Sequence, residues 1–268
     1  MSDNEIDLAF LCDLLREAGT LALELRRADF AAGGNGQVAA QVKRDHTPVT
    51  AVDHAVEALL IAHIAARYPA HLILSEESGL HDGSGVQSEF AWALDPIDGT
   101  RAFACGLPVW GISAGVLRRG QPYAGGFYLP ATGELFWGTA EEAWQDQRRL
   151  PRRTAIDPAS PLAFLAVPSN FYRHFEISAP RIRSLGSTAA HLAYVATGAA
   201  FGMLTRTTSL WDVAGVLPLA QAAGIELAYL SGRPFDPAEL LDGRAIREPL
   251  LAGPPAALEQ LRMWVKVK

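Results

Sequence analysis

The sequence predicts an α/β (α+β) fold, and three observations carry that prediction. Residues 5–27 set Ile6, Phe10, Leu11, Leu14, Leu15, Ala18, Leu21, Ala22 and Leu25 on one helical face. The runs 111–118, 122–129 and 134–138 are strand-like and parted by short turn signals, the pattern of an antiparallel meander. The second half instead alternates strand-like and helical segments. A boundary near 150–160, marked by Pro151, Pro158 and Pro161, separates an N-terminal α+β half (1–155) from a C-terminal α/β half (156–268).

After the first helix, "AAGGNGQ" (31–37) breaks the periodicity into a loop. A second helix starts at Thr50 as N-cap, with Asp53 three residues on as its capping-box partner, and runs to about Tyr68. "HLILSEES" reads as a strand with an acidic tip, and "WAL" as a strand ending at Asp95. Further on, "PLAFLAVPSN" is strand-like, and "RIRSLGSTAAHLAYVATGAAFGMLT" reads as strand, helix, strand. "SLWDVAGVLPLAQAAG" reads as one helix from near Trp211 to Gly224, and "LLAGPPAALEQLRMWVKV" as a closing strand and helix.

The chain's 268 residues, 49% hydrophobic and 19% charged, suit one large domain or two small ones around a shared core. A net charge of −6 speaks against a nucleic-acid partner. The one short basic cluster, "RRLPRR" (Arg148 to Arg153), reads as a solvated loop. Cys12 and Cys105 are too few for a disulfide framework or a cysteine zinc site. With no export signal and no apolar run able to span a bilayer, a cytoplasmic protein without a membrane partner is expected.

The stretch "WALDPIDGTRAF" (92–103) places Asp95 and Asp98 close together at the end of an apolar run. Two such carboxylates repel each other and must find a proton, a cation or a metal. The same design recurs: Glu76 and Glu77 follow "LIL", Asp212 follows "SLW", and Asp53 opens a helix. Taken alone, Asp212 reads better as a helix cap. Taken together, oxygen ligands without His or Cys suit a hard cation, and Mg²⁺ is the usual choice where phosphate completes the shell. Gly99 and Thr100 supply backbone N–H groups at a helix start, which attract phosphate, and the Thr100 hydroxyl is placed to orient a water. Metals beside a phosphate cradle imply in-line attack on phosphorus by a metal-activated water.

The segments "VKRDHTPVTAVD", "LSEES", "WALDPIDGTRAF", "RSLGSTAAHLAYVATGAA" and "LWDVAG" occur in that order along nearly the whole chain. With them the chain resembles the inositol monophosphatase family of Mg²⁺-dependent, lithium-sensitive phosphatases, relatives of fructose-1,6-bisphosphatase. The resemblance implies a layered αβαβα sandwich, usually a homodimer. It implies that Glu76, Asp95 and the Ile97 carbonyl hold one metal and that Asp95, Asp98 and Asp212 hold a second. It further implies that Glu76 touches a weaker third. Thr100, aligned by Asp53, and Glu76 would be the catalytic residues. Gly99 and Thr100 would bind phosphate, with Gly186, Ser187 and Thr188 beside the substrate's alcohol portion. Lys43 and Asp45 are read either near the third metal or phosphate, or as a solvated pair. Glu77 is read either as a ligand or as a hydrogen-bonded supporting or surface acid.

The departures from the family pattern concern the substrate. Ser75 replaces the usual glycine before the Glu pair. Inositol-specific members carry an acid seven residues before the WD aspartate; here that position is Thr205, with Arg206 beside it. "DPIDGTRAFACG" is closer to the histidinol-phosphate phosphatases of the superfamily. The expectation is a Mg²⁺-dependent phosphomonoesterase acting on a small phosphorylated alcohol. Inositol monophosphate is placed first, histidinol phosphate second, and a nucleotide or sugar bisphosphate third. A non-catalytic binder and a two-carboxylate glycosidase are less favoured, because every acid of the set is present and a glycosidase needs no anion cradle.

Overall fold

Helices and sheets alternate in five layers, which a computed structural model describes over residues 5–33, 38–42, 48–82, 88–155, 157–158 and 160–268. Lys43 and Asp45 lie outside the described residues. The outer layer pairs the helices Leu8–Gly33 and Ala51–Arg67. They bury Leu11, Leu14, Leu15, Ala18 and Ala22 of the first and Val56, Leu60 and Ile64 of the second against the larger sheet. The helical period puts these residues on one stripe, as the sequence predicts. The first helix begins at Leu8 rather than residue 5, because the Asp7 carboxylate accepts from the Ala9 and Phe10 N–H groups and caps it. It also runs on past residue 27 to Gly33.

The larger sheet has eight strands in the order Arg148–Arg149, Ala143–Gln145, Glu134–Thr139, Gln121–Leu129, Gly111–Arg118, Phe90–Asp98, Leu72–Ser75 and Gly79–Asp82. All its neighbours run antiparallel except Leu72–Ser75 beside Phe90–Asp98, so the expected meander is present. The "FAWALDPID" strand is apolar along most of its length because helices cover both faces of the sheet at that point. A second helical layer, Thr188–Thr197, Trp211–Ala214 and Leu217–Ala222, lies between this sheet and a five-stranded one. That smaller sheet orders Ile182–Arg183, Phe164–Ala166, Ala200–Thr205, Leu250–Gly253 and Glu226–Tyr229, and the helix Pro255–Trp264 closes its far side.

Three elements differ from the sequence prediction. "SLWDVAGVLPLAQAAG" forms two short helices, not one. Pro218 has no N–H to offer the Ala214 carbonyl and its ring crowds that position, so the helix must break before it. The chain ends in a strand, Val265–Val267, paired with Phe175–Ile177. In the basic cluster, Arg148 and Arg149 do lie exposed, on an edge strand. Arg153 instead turns inward, and its guanidinium donates to the Ala196 and Thr197 carbonyls at the end of a helix.

Candidate active site

The strand expected to stop at Asp95 continues to Asp98 through a bulge. Asp95 pairs with Ser113 and Asp98 with Gly111, so three steps on one strand match two on its neighbour. An odd spacing would send the two carboxylates to opposite faces of a regular strand; the bulge returns them to one face. Pro96 suits the bulge because it has no N–H to leave unpaired. The Ile97 N–H donates to Asp95 Oδ1 at 3.1 Å. Both carboxyl groups are buried, at 2% and 6% exposure.

Beyond Asp98 the backbone turns at Gly99 with φ +94°, a left-handed conformation that side chains rarely adopt. A Cβ there would also stand 3.0 Å from the Gly186 carbonyl oxygen. The turn leads into the short helix Thr100–Ala104. The Thr100 hydroxyl contacts Asp53 Oδ1 at 3.1 Å and the Ile97 carbonyl at 3.0 Å. Asp53 is buried, and its other oxygen accepts from the Thr50 N–H and hydroxyl, at 2.9 and 2.5 Å. The predicted capping box is therefore present, and it fixes the carboxylate that meets Thr100.

Asp98 reaches across to the second helical layer. It accepts the Ser187 hydroxyl, the Thr188 N–H at 3.1 Å and the Ala189 N–H at 2.7 Å, and so sits on the N-terminus of the helix Thr188–Thr197. Asp212 lies in the first turn of Trp211–Ala214 and accepts the Ser209 N–H at 2.7 Å. That helix presses onto the sheet at Gly115, where a Cβ would fall 2.2 Å from the Ala214 carbonyl carbon. Glycine in the strand thus lets Asp212 approach the acids of the sheet. Glu76 and Glu77 occupy the turn after Leu72–Ser75, both half-buried. The Glu76 N–H donates to the Leu94 carbonyl at 3.1 Å. Glu57 Oε1 accepts the Glu77 and Ser78 N–H groups, each at 3.1 Å.

The acids perturb one another. Burial first, then the charges of Glu76, Asp98, Asp212 and Asp53, pushes Asp95 well above the usual carboxylate range. Asp212 is pushed up to about 8, mainly by burial and against the Ser209 hydrogen bond. Asp98 rises to about 6, again by burial, with the Ser187, Ala189 and Thr188 hydrogen bonds opposing. Burial also raises Asp53. Among the described residues no three acidic, His or Cys side chains converge on a single point. The donor set nevertheless fits a hard divalent cation: crowded carboxylate oxygens, held partly out of water, whose mutual repulsion a positive ion cancels.

Beside Asp98 lies a cleft of about 140 Å³ lined by Pro168, Ser169, Gly186, Ser187, Thr188, His191, Leu204 and Thr205. The predicted substrate-side residues Gly186, Ser187, Thr188 and Thr205 therefore share one wall. The Ser187 hydroxyl, however, is committed to Asp98, and the Thr205 hydroxyl donates to the Thr207 carbonyl at 3.0 Å. Arg206 is exposed and is not part of the cleft wall. Glu57 was not legible as a site residue. Its signal was its place one helical turn after Asp53, an acid on the buried stripe of the same helix.

Known proteins share the sequence pattern and the fold. The chain matches the inositol monophosphatase family over residues 3–252. It is 31% identical over 235 residues to an inositol-1-monophosphatase of Mesorhizobium japonicum, covering 83% of this chain and 86% of that one. It is 32% identical over 228 residues to a histidinol-phosphatase of Chlorobaculum parvum, covering 81% and 83%. The solved structure of an inositol monophosphatase from Anabaena superposes with a TM-score of 0.73 at 26% identity, over 96% of this chain and 93% of that one. The crowded acids, the capped Asp53–Thr100 pair and the layered fold thus have one common explanation: the chain belongs to the inositol monophosphatase family of metal-dependent phosphatases and is itself a phosphatase.

Proposed function

We propose that the protein is a Mg²⁺-dependent phosphomonoesterase whose metals are held by Glu76, Asp95, the Ile97 carbonyl, Asp98 and Asp212. The observation that carries this is the crowding of buried carboxylates against the Gly99–Thr100 turn. Mg²⁺ bound there supplies charge neutralisation for the phosphate and lowers the pKa of water. The chain's own residues do the rest. The first-turn N–H groups at Gly99 and Thr100 hold phosphate oxygens. Thr100 donates its proton to Asp53 at 3.1 Å and turns a lone pair outward to accept a water hydrogen. Asp53, its affinity for protons raised by burial, stands behind to hold that proton. As is usual in the family, the enzyme acts as a cytoplasmic homodimer.

For the alcohol, the reading moves from inositol monophosphate toward histidinol phosphate. The place of the polyol-reading acid is taken by Thr205, whose proton is spent on Thr207; relatives at 31% and 32% identity bear the two names, so this position carries the choice. The test is phosphate release from inositol 1-phosphate, histidinol phosphate, fructose 1,6-bisphosphate and 3′-phosphoadenosine 5′-phosphate, with Mg²⁺ and with EDTA. Mg²⁺-dependent release from histidinol phosphate above the others is expected. Release that survives EDTA removes the metal reading, and a strong preference for inositol 1-phosphate removes the histidinol one.

A further inference from the structure

His191 sits in the wall of the cleft, in the first turns of the helix Thr188–Thr197, and is only 4% exposed. Its Nε2 accepts the Leu185 backbone N–H at 3.0 Å. A backbone N–H only donates, so Nε2 must be bare and the ring's one proton must lie on Nδ1. Protonating Nε2 would break that bond inside a buried site, and burial accordingly lowers the ring to about 4. The imidazole is therefore a neutral donor of fixed tautomer. Among the described residues no group accepts from Nδ1.

Around it the wall holds few other polar groups. Thr205 has given its proton to the Thr207 carbonyl and can only accept, while Ser169 shares a hydrogen bond with Ser184 at 3.0 Å. Neither Lys, Arg, Asp nor Glu lines the cleft among the described residues. With Nε2 committed to Leu185, Nδ1 is the ring nitrogen that keeps access to solvent at the cleft wall, where its proton is open to a ligand acceptor. Resting on the phosphomonoesterase reading above, we infer that His191 is a specificity-determining residue. Its Nδ1–H donates to an uncharged acceptor on the alcohol portion of the substrate, a hydroxyl oxygen or an unprotonated imidazole nitrogen. The same wall disfavours a second phosphate or a carboxylate at that place, since no cation meets it.

Two substitutions separate this role from mere support of the fold. In His191→Gln the side-chain oxygen reaches the Nε2 position and keeps the Leu185 bond, but the donor at Nδ1 is lost. In His191→Asn the amide NH₂ falls near Nδ1 and keeps the donor, but Leu185 loses its acceptor. Using whichever of inositol 1-phosphate and histidinol phosphate the wild type hydrolyses faster, KM is expected to rise roughly 10-fold in His191→Gln and less than about 3-fold in His191→Asn, with kcat changing less in both. The opposite order, with Gln tolerated and Asn damaging, assigns His191 to structure alone and overturns the inference. Histidine ¹⁵N NMR of the wild type gives a readout independent of turnover: His191 must show the Nδ1–H tautomer at neutral pH, and an Nε2–H ring overturns the inference whatever the variants do. A wild type that releases no phosphate from any compound of the panel fails the phosphomonoesterase reading first, and this inference falls with it.

Discussion

The hydroxyl of Ser187 donates to the carboxylate of Asp98 from 89 positions further along the chain, and it also accepts the Ala190 N–H at 3.0 Å. One side chain thereby caps a helix and fixes an acid of the larger sheet. Ser187→Ala removes both bonds. A loss of about 1–2 kcal/mol in unfolding free energy is expected, together with a further rise of the Asp98 pKa, because the lost bond favoured its charged form. Denaturant melts check the first and a carboxyl-region NMR titration the second. An unchanged Asp98 titration contradicts the assignment.

Asp95→Asn separates function from stability. Turnover is expected to fall at least about 10³-fold, because the proposed ligand shared by both metals is gone. The metal-free variant is expected to melt higher than the metal-free wild type, because an acid that folding forces to take up a proton has been replaced by a neutral amide. Phosphate release and melts in EDTA test the two halves. Substantial activity in the variant ends the two-metal reading.

Acid crowding sets a pH dependence with a definite sign. Asp98 at about 6 and Asp212 at about 8 bind protons more tightly folded than unfolded, where both return to 3.8. That contribution to stability is complete below the unfolded value and is lost as pH climbs through 6 and then 8. In EDTA, Tm is expected to fall by about 5 °C or more between pH 5 and 8.5. Mg²⁺ should flatten that slope. A Tm independent of pH in EDTA would show that the acids are not crowded in solution.

Glu57 holds the turn that carries Glu76. Glu57→Ala strands two backbone donors, for a stability loss of about 2 kcal/mol. The Mg²⁺ concentration for half-maximal activity is expected to rise about 10-fold, although Glu57 is not itself offered as a ligand. A Mg²⁺ titration of activity decides the point, and Glu57→Gln, which keeps an acceptor, should recover most of the loss.

Thr205→Glu restores the acid that inositol-specific relatives carry. The ratio of kcat/KM for inositol 1-phosphate over histidinol phosphate is expected to rise by about 10-fold or more. An unmoved ratio means that this position does not read the alcohol.

Much of the fold is legible because its signals are local. The capping box at Thr50 and Asp53 lies within four residues, and the stripe Leu11, Leu14, Leu15, Ala18 needs only helical period. The candidate acids were legible as types at the ends of apolar runs. What escaped the sequence depends on distant partners or on geometry. The strand runs on to Asp98 because Gly111 pairs with it across a bulge, which the apolar pattern of "WAL" does not encode. Val265–Val267 is a strand because Phe175–Ile177 lies beside it. Ser187 reads as a polar residue near the substrate, and only the packing of the second helical layer shows its hydroxyl turned to Asp98. The helix break before Pro218 is local too, since proline alone encodes it, but the apolar period running through "SLWDVAGVLPLAQAAG" masks it.

The helix Thr188–Thr197 starts on Asp98 and, within its first turns, carries His191 to the cleft. A ligand that pulls on the carboxylate also pulls on the imidazole's support, and the reverse holds equally. On the reading proposed above, a cation at Asp98 and an alcohol at His191 would share this helix, and a coupling between them would be reciprocal, each changing the affinity of the other by the same factor. An alcohol that engages His191 would then respond to Mg²⁺ more than one that does not, and discrimination between the two would vary with Mg²⁺ concentration without any contact between the metal and the group being read.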